Sequence, residues 1–258
     1  VGAIMLMNRF NLQLAEKWLT WFEPFWGKQA AWVFGVRIEV EGQLPKTTAL
    51  WVGNHLSWMD GIILAGITRI AFVGKAEVRD WPFVGLLTRV IGCVFVHRGM
   101  GESAAIAQQL AQKMQQGTRI LFFPEATTYR STLPQHFHDK LFKAAIASQM
   151  PIQPVALVYR TAQGGLQQDI PYVLNDIFVW HALKLLVRPM QSARILFPAE
   201  IMPHDKTASE LALEAERAIY HALLPCYTQH YEPQYLEDMG QIKANKALAA
   251  RLQAKVLA

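Results

Sequence analysis

The stretch WVGNHLSWMD, residues 51–60, sets an apolar run directly before a cluster of polar side chains. The apolar run ends at Gly53, Asn54 and His55 follow at once, and Asp60 comes five residues after the histidine. This order is typical of a strand that ends in a loop and leads into a helix. If the carboxylate of Asp60 holds one ring nitrogen of His55, the other nitrogen is left as a general base.

Asp60 also has a purely structural interpretation. Ser57 and Asp60 match the capping-box pattern, which predicts a helix over residues 58–66 with the acid in its first turn. A helix N-terminus stabilises a carboxylate at that position. Helix cap and histidine partner are compatible roles, and both stay open at this point.

The rest of the chain alternates between two patterns. Apolar, β-favouring runs occupy residues 48–52, 69–73, 93–96, 119–123, 152–159 and 193–198. Helical spacing occupies residues 102–116 and 206–224, the second beginning with a capping box. Strands that alternate with helices predict an α/β domain with a mostly parallel mixed sheet flanked by helices.

Three polar side chains follow three of these predicted strands. His55 comes after the run 48–52, Arg98 after 93–96 and Glu125 after 119–123. Because the carboxyl ends of parallel strands meet at one edge of a sheet, we expect one site to collect all three.

Composition limits the partners of the chain. Its 258 residues are 52% hydrophobic and 17% charged, which is consistent with an apolar surface for lipid or with a well-filled core. The net charge of +5 is carried by scattered basic residues without a nucleic-acid motif, so we expect no nucleic-acid partner. Cys93 lies inside an apolar run, which predicts a packing role, and its separation from Cys226 gives no disulfide framework, so we expect a reducing compartment.

The N-terminal region is rich in aromatic residues. Residues 8–35 read as two helical stretches broken around Pro24, with apolar and charged side chains mixed. Such helices suit a membrane interface, and they equally suit packing on the body of the domain. No segment reaches the roughly 20 apolar residues that a membrane span needs.

Other site chemistries have weaker signals. Gly99-x-Gly101-x-x-Ala104 resembles a dinucleotide fingerprint but lacks the third glycine and has a charged turn entry. The histidine cluster of residues 136–139 sits in a polar loop without a helical zinc pattern, so we expect no metal. No nucleophile elbow is present, which favours direct attack by a substrate hydroxyl or by water.

Five short blocks follow one another in a familiar order. They are Asn54-His55-x4-Asp60, Lys75 with Pro82 and Gly85, Phe95-x-x-Arg98, Phe123-Pro124-Glu125, and Pro151-Ile152-x-Pro154-Val155. Over about residues 30–200 the chain resembles the glycerolipid acyltransferases of the lysophosphatidic acid acyltransferase type.

The resemblance implies roles for these residues. His55 would deprotonate the acceptor hydroxyl with Asp60 orienting it, and the hydroxyl would attack an acyl thioester without an acyl-enzyme. Arg98 and Lys75 would hold the anionic headgroup, since guanidinium pairs with phosphate in a bidentate fork. Glu125 would orient the acceptor or other site residues. Asn54, Pro124 and Pro154 would shape the site.

The third block departs from the family pattern Glu-Gly-Thr-Arg. Here it reads Glu125-Ala126-Thr127-Thr128, so a Cβ replaces a glycine and a cation is lost. Thr127 and Thr128 are expected to contact the substrate, and Arg130 is a candidate replacement cation. The expected acceptor is lysophosphatidic acid, which gives phosphatidic acid, with another lysolipid such as lyso-ornithine lipid as the alternative.

The resemblance also implies an organisation and a location. Membrane-interface helices would span residues 1–36 as a two-helix docking element, the acyltransferase α/β domain 37–230, and a helical tail 231–258. The donor would be acyl-CoA or acyl-carrier protein, with no further cofactor, and the protein would sit on the cytoplasmic face of the cell membrane, peripheral or monotopic. A thioesterase and a non-catalytic binding protein are the competing classes.

Overall fold

The computed structural model describes residues 12–76, 93–96, 103–128, 133–167, 169–172 and 176–228, with backbone alone at residues 12–20, 75 and 96. The strands are β1 (Val36–Glu41), β2 (Leu50–Gly53), β3 (Ala71–Lys75), β4 (Val94–Val96), β5 (Ile120–Phe122), β6 (Ile152–Arg160) and β7 (Gln191–Leu196). The helices are α1 (Leu12–Val33), α2 (Met59–Ala65), α3 (Ser103–Gln115), α4 (Lys143–Ser148), α5 (Phe178–Leu186) and α6 (Ala208–Thr228), with a 3-10 turn at Lys140–Phe142 before α4.

All seven strands form one mixed sheet in the order β1-β7-β6-β2-β5-β3-β4. Strands β6, β2, β5, β3 and β4 run parallel, and β7 is antiparallel to β6 while β1 is parallel to β7. The mostly parallel mixed sheet flanked by helices is therefore confirmed. The carboxyl ends of the neighbouring strands β2 and β5 meet at one edge.

The sheet separates two apolar layers. Leu50 and Val52 of β2 pack on the side that holds α3, α4 and α6, whereas Trp51 packs on the side that holds α1, α2 and α5. Because both faces of β2, β5 and β6 are covered, these strands are buried throughout almost their whole length. This explains why they read as continuous apolar runs in the sequence.

Strand β1 is an element that the sequence analysis missed. In Val36–Glu41 apolar residues alternate with Arg37, Glu39 and Glu41, and the strand lies at the edge of the sheet beside β7. Charges that alternate with apolar side chains are the signal of a half-exposed strand, and this signal could have revealed it.

Helix α1 corrects the prediction at Pro24. The described residues 12–33 form one helix with Pro24 inside it, and not two stretches broken there. A proline removes one intrahelical hydrogen bond, but packing on one face can outweigh that loss. Glu23, Gly27 and Ala31 are buried at a spacing of four residues and supply that face.

The contact between α1 and α2 depends on small residues. A Cβ on Gly27 would lie 2.5 Å from the backbone nitrogen of Gly66, and a Cβ on Gly66 would lie 3.0 Å from the backbone nitrogen of Lys28. The two backbones therefore touch where α2 ends. Helix α1 is docked on the domain body, while Trp21 and Trp32 on its other side are exposed.

The capping box of α6 is confirmed. The backbone N–H of Thr207 donates to Oε2 of Glu210 at 2.8 Å, and the N–H of Glu210 donates to Oγ1 of Thr207 at 3.2 Å. The predicted tail, residues 231–258, lies outside the described residues, and the division at residues 36 and 230 stays a prediction. Within the described ranges, no helix combines the length and the hydropathy that crossing a bilayer requires.

Candidate active site

His55 and Glu125 come together where β2 and β5 end. The backbone N–H of His55 donates to Oε1 of Glu125 at 2.8 Å, and the N–H of Gln135 donates to Oε2 at 3.0 Å. Glu125 is buried, so its carboxylate fixes the loop after β2 to the loop after β5. The convergence that strand order predicted is confirmed for these two residues.

His55 and Asp60 form the pair that their spacing predicted. Nδ1 of His55 lies 2.8 Å from Oδ2 of Asp60. Because a carboxylate only accepts hydrogen bonds, Nδ1 carries the proton and Nε2 keeps its lone pair. The imidazole is partly exposed and Asp60 is fully buried. The geometry thus provides an oriented base with one accessible nitrogen.

Asp60 also holds the loop that carries the histidine. The backbone N–H groups of Leu56 and Ser57 donate to its Oδ2 at 2.7 and 2.9 Å. The bond from Ser57 is one half of the predicted capping box. Oγ of Ser57 accepts from the N–H of Met59 at 3.4 Å, whereas the N–H of Asp60 donates to the carbonyl of Ser57. The same carboxylate thus contacts the histidine and caps the loop, so the two predicted roles of Asp60 are compatible in geometry.

Tyr159 is a site residue that sequence reasoning missed. Tyr159 lies near the carboxyl end of β6, its hydroxyl donates to Oδ1 of Asp60 at 2.6 Å, and the ring is buried. Burial first, and then the charge and hydrogen bond of Asp60, raise the pKa of Tyr159, so the hydroxyl stays protonated as a donor. The two residues are 99 positions apart, and no local pattern links them.

Asn54 and Phe123 complete the support of His55. The side-chain amide of Asn54 donates to the carbonyl of Leu157 at 2.9 Å, and its oxygen accepts from the N–H of Leu157 at 2.8 Å. The imidazole of His55 stacks on the ring of Phe123 with centroids 4.1 Å apart and planes 7° apart. A Cβ on Gly53 would lie 3.3 Å from that ring, so the small residue leaves room for the stack.

The loop after β5 shows what the departure from the family pattern does. Ala126 has φ of 61°, which is the left-handed region that favours glycine. Its N–H donates to the carbonyl of Phe123 at 3.1 Å, which closes the turn. Thr127 and Thr128 follow as half-buried residues.

The two prolines of the site lie in different settings. Pro124 is buried in the turn after β5, and its carbonyl accepts from the N–H of His138 at 3.0 Å. Pro154 lies within β6. It pairs in register with Val52 of β2, which precedes Asn54 by two residues.

The structure does not describe the side chains of three residues that were predicted to be cationic site residues. Arg98 and Arg130 lie outside the described residues, and Lys75 is described by its backbone alone, as the last residue of β3. Strands β3 and β4 are parallel to each other, and β3 is parallel to β5. Strand β3 therefore ends at the edge of the sheet that holds His55, and the headgroup role of Lys75 and Arg98 stays a prediction.

The residues of the other site chemistries are described only in part. Gly99 and Gly101 lie outside the described residues. The rings of His136 and His138 are 5.7 Å apart, and in the part of the chain that the structure describes no three metal-ligating side chains converge. Burial raises the pKa of the Cys93 thiol to about 12, which disfavours a thiolate nucleophile there.

Known proteins resemble this chain in sequence and in fold. A sequence model of the family described as Acyltransferase matches residues 36–158. The lyso-ornithine lipid O-acyltransferase of Pseudomonas aeruginosa is 36% identical over 194 residues, which cover 75% of this chain and 74% of that protein.

Two further comparisons are more distant. The 1-acyl-sn-glycerol-3-phosphate acyltransferase of Neisseria gonorrhoeae is 29% identical over 141 residues, 54% of this chain and 55% of that protein. The crystal structure of the 1-acyl-sn-glycerophosphate (LPA) acyltransferase PlsC of Thermotoga maritima covers 90% of both chains with a TM-score of 0.66 and 19% identity, which shows a shared fold. On the strength of the Pseudomonas relative and the matching family model, this chain belongs to the acyltransferase family and is an O-acyltransferase.

Proposed function

We propose that the protein transfers an acyl group from an acyl thioester to the free hydroxyl of a lysolipid, with lyso-ornithine lipid as the preferred acceptor. The observation that carries the choice of acceptor is the difference between two relatives. The lyso-ornithine lipid acyltransferase shares 36% identity over 75% of the chain, the 1-acyl-sn-glycerol-3-phosphate acyltransferase 29% over 54%. Lysophosphatidic acid, the first expectation from sequence, has the weaker support.

The third sequence block supports the same choice. Thr128 stands where the family pattern has an arginine, so a guanidinium that suits a phosphate is missing from that position. An ornithine headgroup carries an ammonium and a carboxylate and no phosphate. An acceptor with this headgroup therefore needs an arginine at position 128 less than lysophosphatidic acid does.

The proposed mechanism uses the oriented base. Nε2 of His55 takes the proton of the acceptor hydroxyl as its oxygen attacks the thioester carbonyl, and Asp60 balances the imidazolium that forms. A C–O bond forms, the C–S bond breaks, and the proton passes from His55 to the departing thiolate sulfur. The donor is acyl-CoA or acyl-carrier protein, and the reaction needs no cofactor beyond it.

The substrates place the enzyme at a membrane surface. A lysolipid acceptor resides in the bilayer, so we propose a peripheral or monotopic location on the cytoplasmic face of the cell membrane. Helix α1 supports this, because Trp21 and Phe25 are exposed and stack with ring centroids 5.3 Å apart. Exposed aromatic rings suit the boundary between lipid and water.

An acyl-transfer assay in detergent tests the proposal. Acyl-CoA and acyl-carrier protein donors are offered with lyso-ornithine lipid, with lysophosphatidic acid or without acceptor. We expect wild type to prefer lyso-ornithine lipid, and His55→Ala to lose a factor of about 10²–10⁴, the usual contribution of a general base. His204→Ala is the matched control, because His204 is exposed and remote in sequence from both site loops.

Each other outcome has a defined meaning. Preference for lysophosphatidic acid contradicts the acceptor and leaves the reaction class intact. Release of free fatty acid at a rate independent of acceptor supports the thioesterase alternative. Turnover that His55→Ala leaves unchanged would refute the assigned base.

A further inference from the structure

Helix α5 exposes an unusual amount of apolar surface for a helix beside a catalytic loop. Ile177 is 64% exposed, Trp180 68% and Val187 85%. We call the outward side chains of this segment the α5 face, which consists of Ile177, Val179, Trp180, Leu183, Leu186 and Val187. A contiguous apolar patch of this kind marks an interaction surface.

The opposite side of α5 is fixed to the catalytic loop. His181 and Leu185 are buried, and the indole N–H of Trp58 donates to Nδ1 of His181 at 3.1 Å. The ring of Trp58 also packs edge-to-face on Phe178 with centroids 5.1 Å apart. Since Trp58 lies between His55 and Asp60 in sequence, the α5 face has a fixed position relative to the base.

The α5 face adjoins the end of α1. The N–H of Gln191, just after α5, donates to the carbonyl of Gly35 at 2.7 Å, and Phe34 packs on Trp58 with centroids 5.1 Å apart. Trp32 and Val33, immediately before this junction, are exposed. Two elements with exposed aromatic and aliphatic side chains thus meet beside the site.

The charges around the α5 face lie at its margin. Lys184 and Arg188 both pair with Asp169 there, and Asp176 directly precedes Ile177, so the face itself carries no charged side chain. An uncharged apolar face that is bordered by charged residues is typical of helices that lie in the interface of a bilayer. At nine residues α5 is about 13 Å long, too short to cross a bilayer.

We propose that the α5 face binds the surface of a lipid bilayer and lies in its interfacial layer beside the catalytic loop. This rests on the proposed function, in which the acceptor is a lysolipid. With α5 in the interface, the acceptor hydroxyl reaches His55 without the lipid leaving its leaflet. The contact through Trp58 and His181 then keeps the base at the height of the headgroups.

Vesicle binding tests the proposal. Val179→Gln/Leu183→Gln replaces two outward side chains one helical turn apart by neutral residues of good helix propensity. Vesicles contain three parts phosphatidylcholine and one part phosphatidylglycerol. Because two large apolar groups leave the lipid contact, we expect the vesicle partition coefficient to fall by about tenfold or more.

The matched control is Met202→Gln. Met202 is an exposed apolar residue next to Ile201, which pairs with Ile152 at the start of β6, away from the edge that holds His55. The vesicle partition coefficient of Met202→Gln should equal that of wild type.

Transfer between a short-chain thioester and a short-chain acceptor below its micellar concentration should be unchanged in the double variant Val179→Gln/Leu183→Gln, since those substrates need no bilayer.

Two results would overturn the proposal. One is wild-type vesicle binding by a folded double variant. The other is a wild-type dimer in solution that the double variant dissociates while vesicle binding persists, because the α5 face would then bind a second copy of the chain. Absence of soluble transfer in wild type would contradict the proposed function instead, and the partition coefficients would still decide the role of the α5 face.

Discussion

At the residue scale, the hydroxyl of Tyr159 should set how well His55 works as a base. Tyr159→Phe removes the hydroxyl that donates to Oδ1 of Asp60, so this buried carboxylate oxygen loses that hydrogen bond. The charge on the carboxylate is then less dispersed and holds the imidazolium proton more strongly. We expect kcat/KM to fall by about tenfold, with the acid limb of its pH profile moved to higher pH.

The control for this prediction is Tyr227→Phe, another buried tyrosine, which packs in α6 on the other face of the sheet. It should leave the pH profile in place even if stability falls. A Tyr159→Phe enzyme with the wild-type profile would show that the hydroxyl only fills space. Separate values of kcat and KM give a second readout, because the loss of a residue that positions the base should lower kcat.

A second prediction at this scale concerns Ala126, which holds a left-handed backbone. A left-handed non-glycine residue costs about 1–2 kcal/mol, partly offset by the greater freedom of glycine in the unfolded chain. Ala126→Gly should therefore raise the free energy of unfolding by about 0.5–1 kcal/mol. Urea unfolding measures it.

The same substitution elsewhere gives the opposite sign. Ala105 is exposed within α3, and Ala105→Gly should lower the free energy of unfolding by about 1 kcal/mol. Equal effects at both positions would contradict the left-handed conformation of Ala126.

The sequence predicted this site where its contacts are local. His55 and Asp60 are five residues apart, and their spacing sufficed. Glu125 followed from strand order, because β2 and β5 had to end at the same edge. Tyr159 could not be predicted, because its contact depends on the register of β6 with β2, and a shift of one residue would turn the hydroxyl away.

At the element scale, α1 shows why tertiary contacts defeat a local pattern. Pro24 predicted a break, and the buried stripe through Gly27 and Ala31 keeps the helix whole. The closeness of Gly27 to Gly66 depends on two distant segments, so sequence periodicity could not show it. The strand β1, in contrast, carried a readable alternation.

Helix α1 also carries a buried acid, which predicts a pH dependence. Oε1 of Glu23 accepts from the N–H of Ile70 at 3.1 Å, and burial raises the pKa of Glu23 from 4.5 to about 8. The folded state then binds a proton that the unfolded state has lost. Its stabilising effect is complete below the unfolded pKa and disappears as the pH rises towards 8.

Between pH 5 and pH 8 we expect the contribution of Glu23 to the free energy of unfolding to fall by roughly 3 kcal/mol. Glu23→Gln should remove that component, so the difference between wild type and variant changes with pH. Glu200→Gln, at an exposed glutamate, is the control and should track wild type. A difference between wild type and Glu23→Gln that stays constant with pH would show that Glu23 is ionised in the folded protein.

At the scale of the whole molecule, the two sources of membrane affinity should separate by salt. The net charge of +5 attracts an anionic surface, and each basic residue near it contributes about 1 kcal/mol that salt screens. The α5 face and the exposed rings of α1 bind through apolar contact, which added salt does not weaken. Binding to anionic vesicles should thus weaken with salt towards a plateau, and binding to neutral vesicles should stay nearly constant.

The double variant Val179→Gln/Leu183→Gln makes this separation quantitative. It keeps the charge of wild type, so its binding to anionic vesicles should decline with salt at the wild-type slope, from a lower start and to a lower plateau. Co-sedimentation with the two kinds of vesicle over a salt series measures both quantities. Wild-type binding that salt abolishes would mean that charge alone holds the protein on the bilayer. A changed slope in the variant would mean that the α5 face acts by orienting the cations.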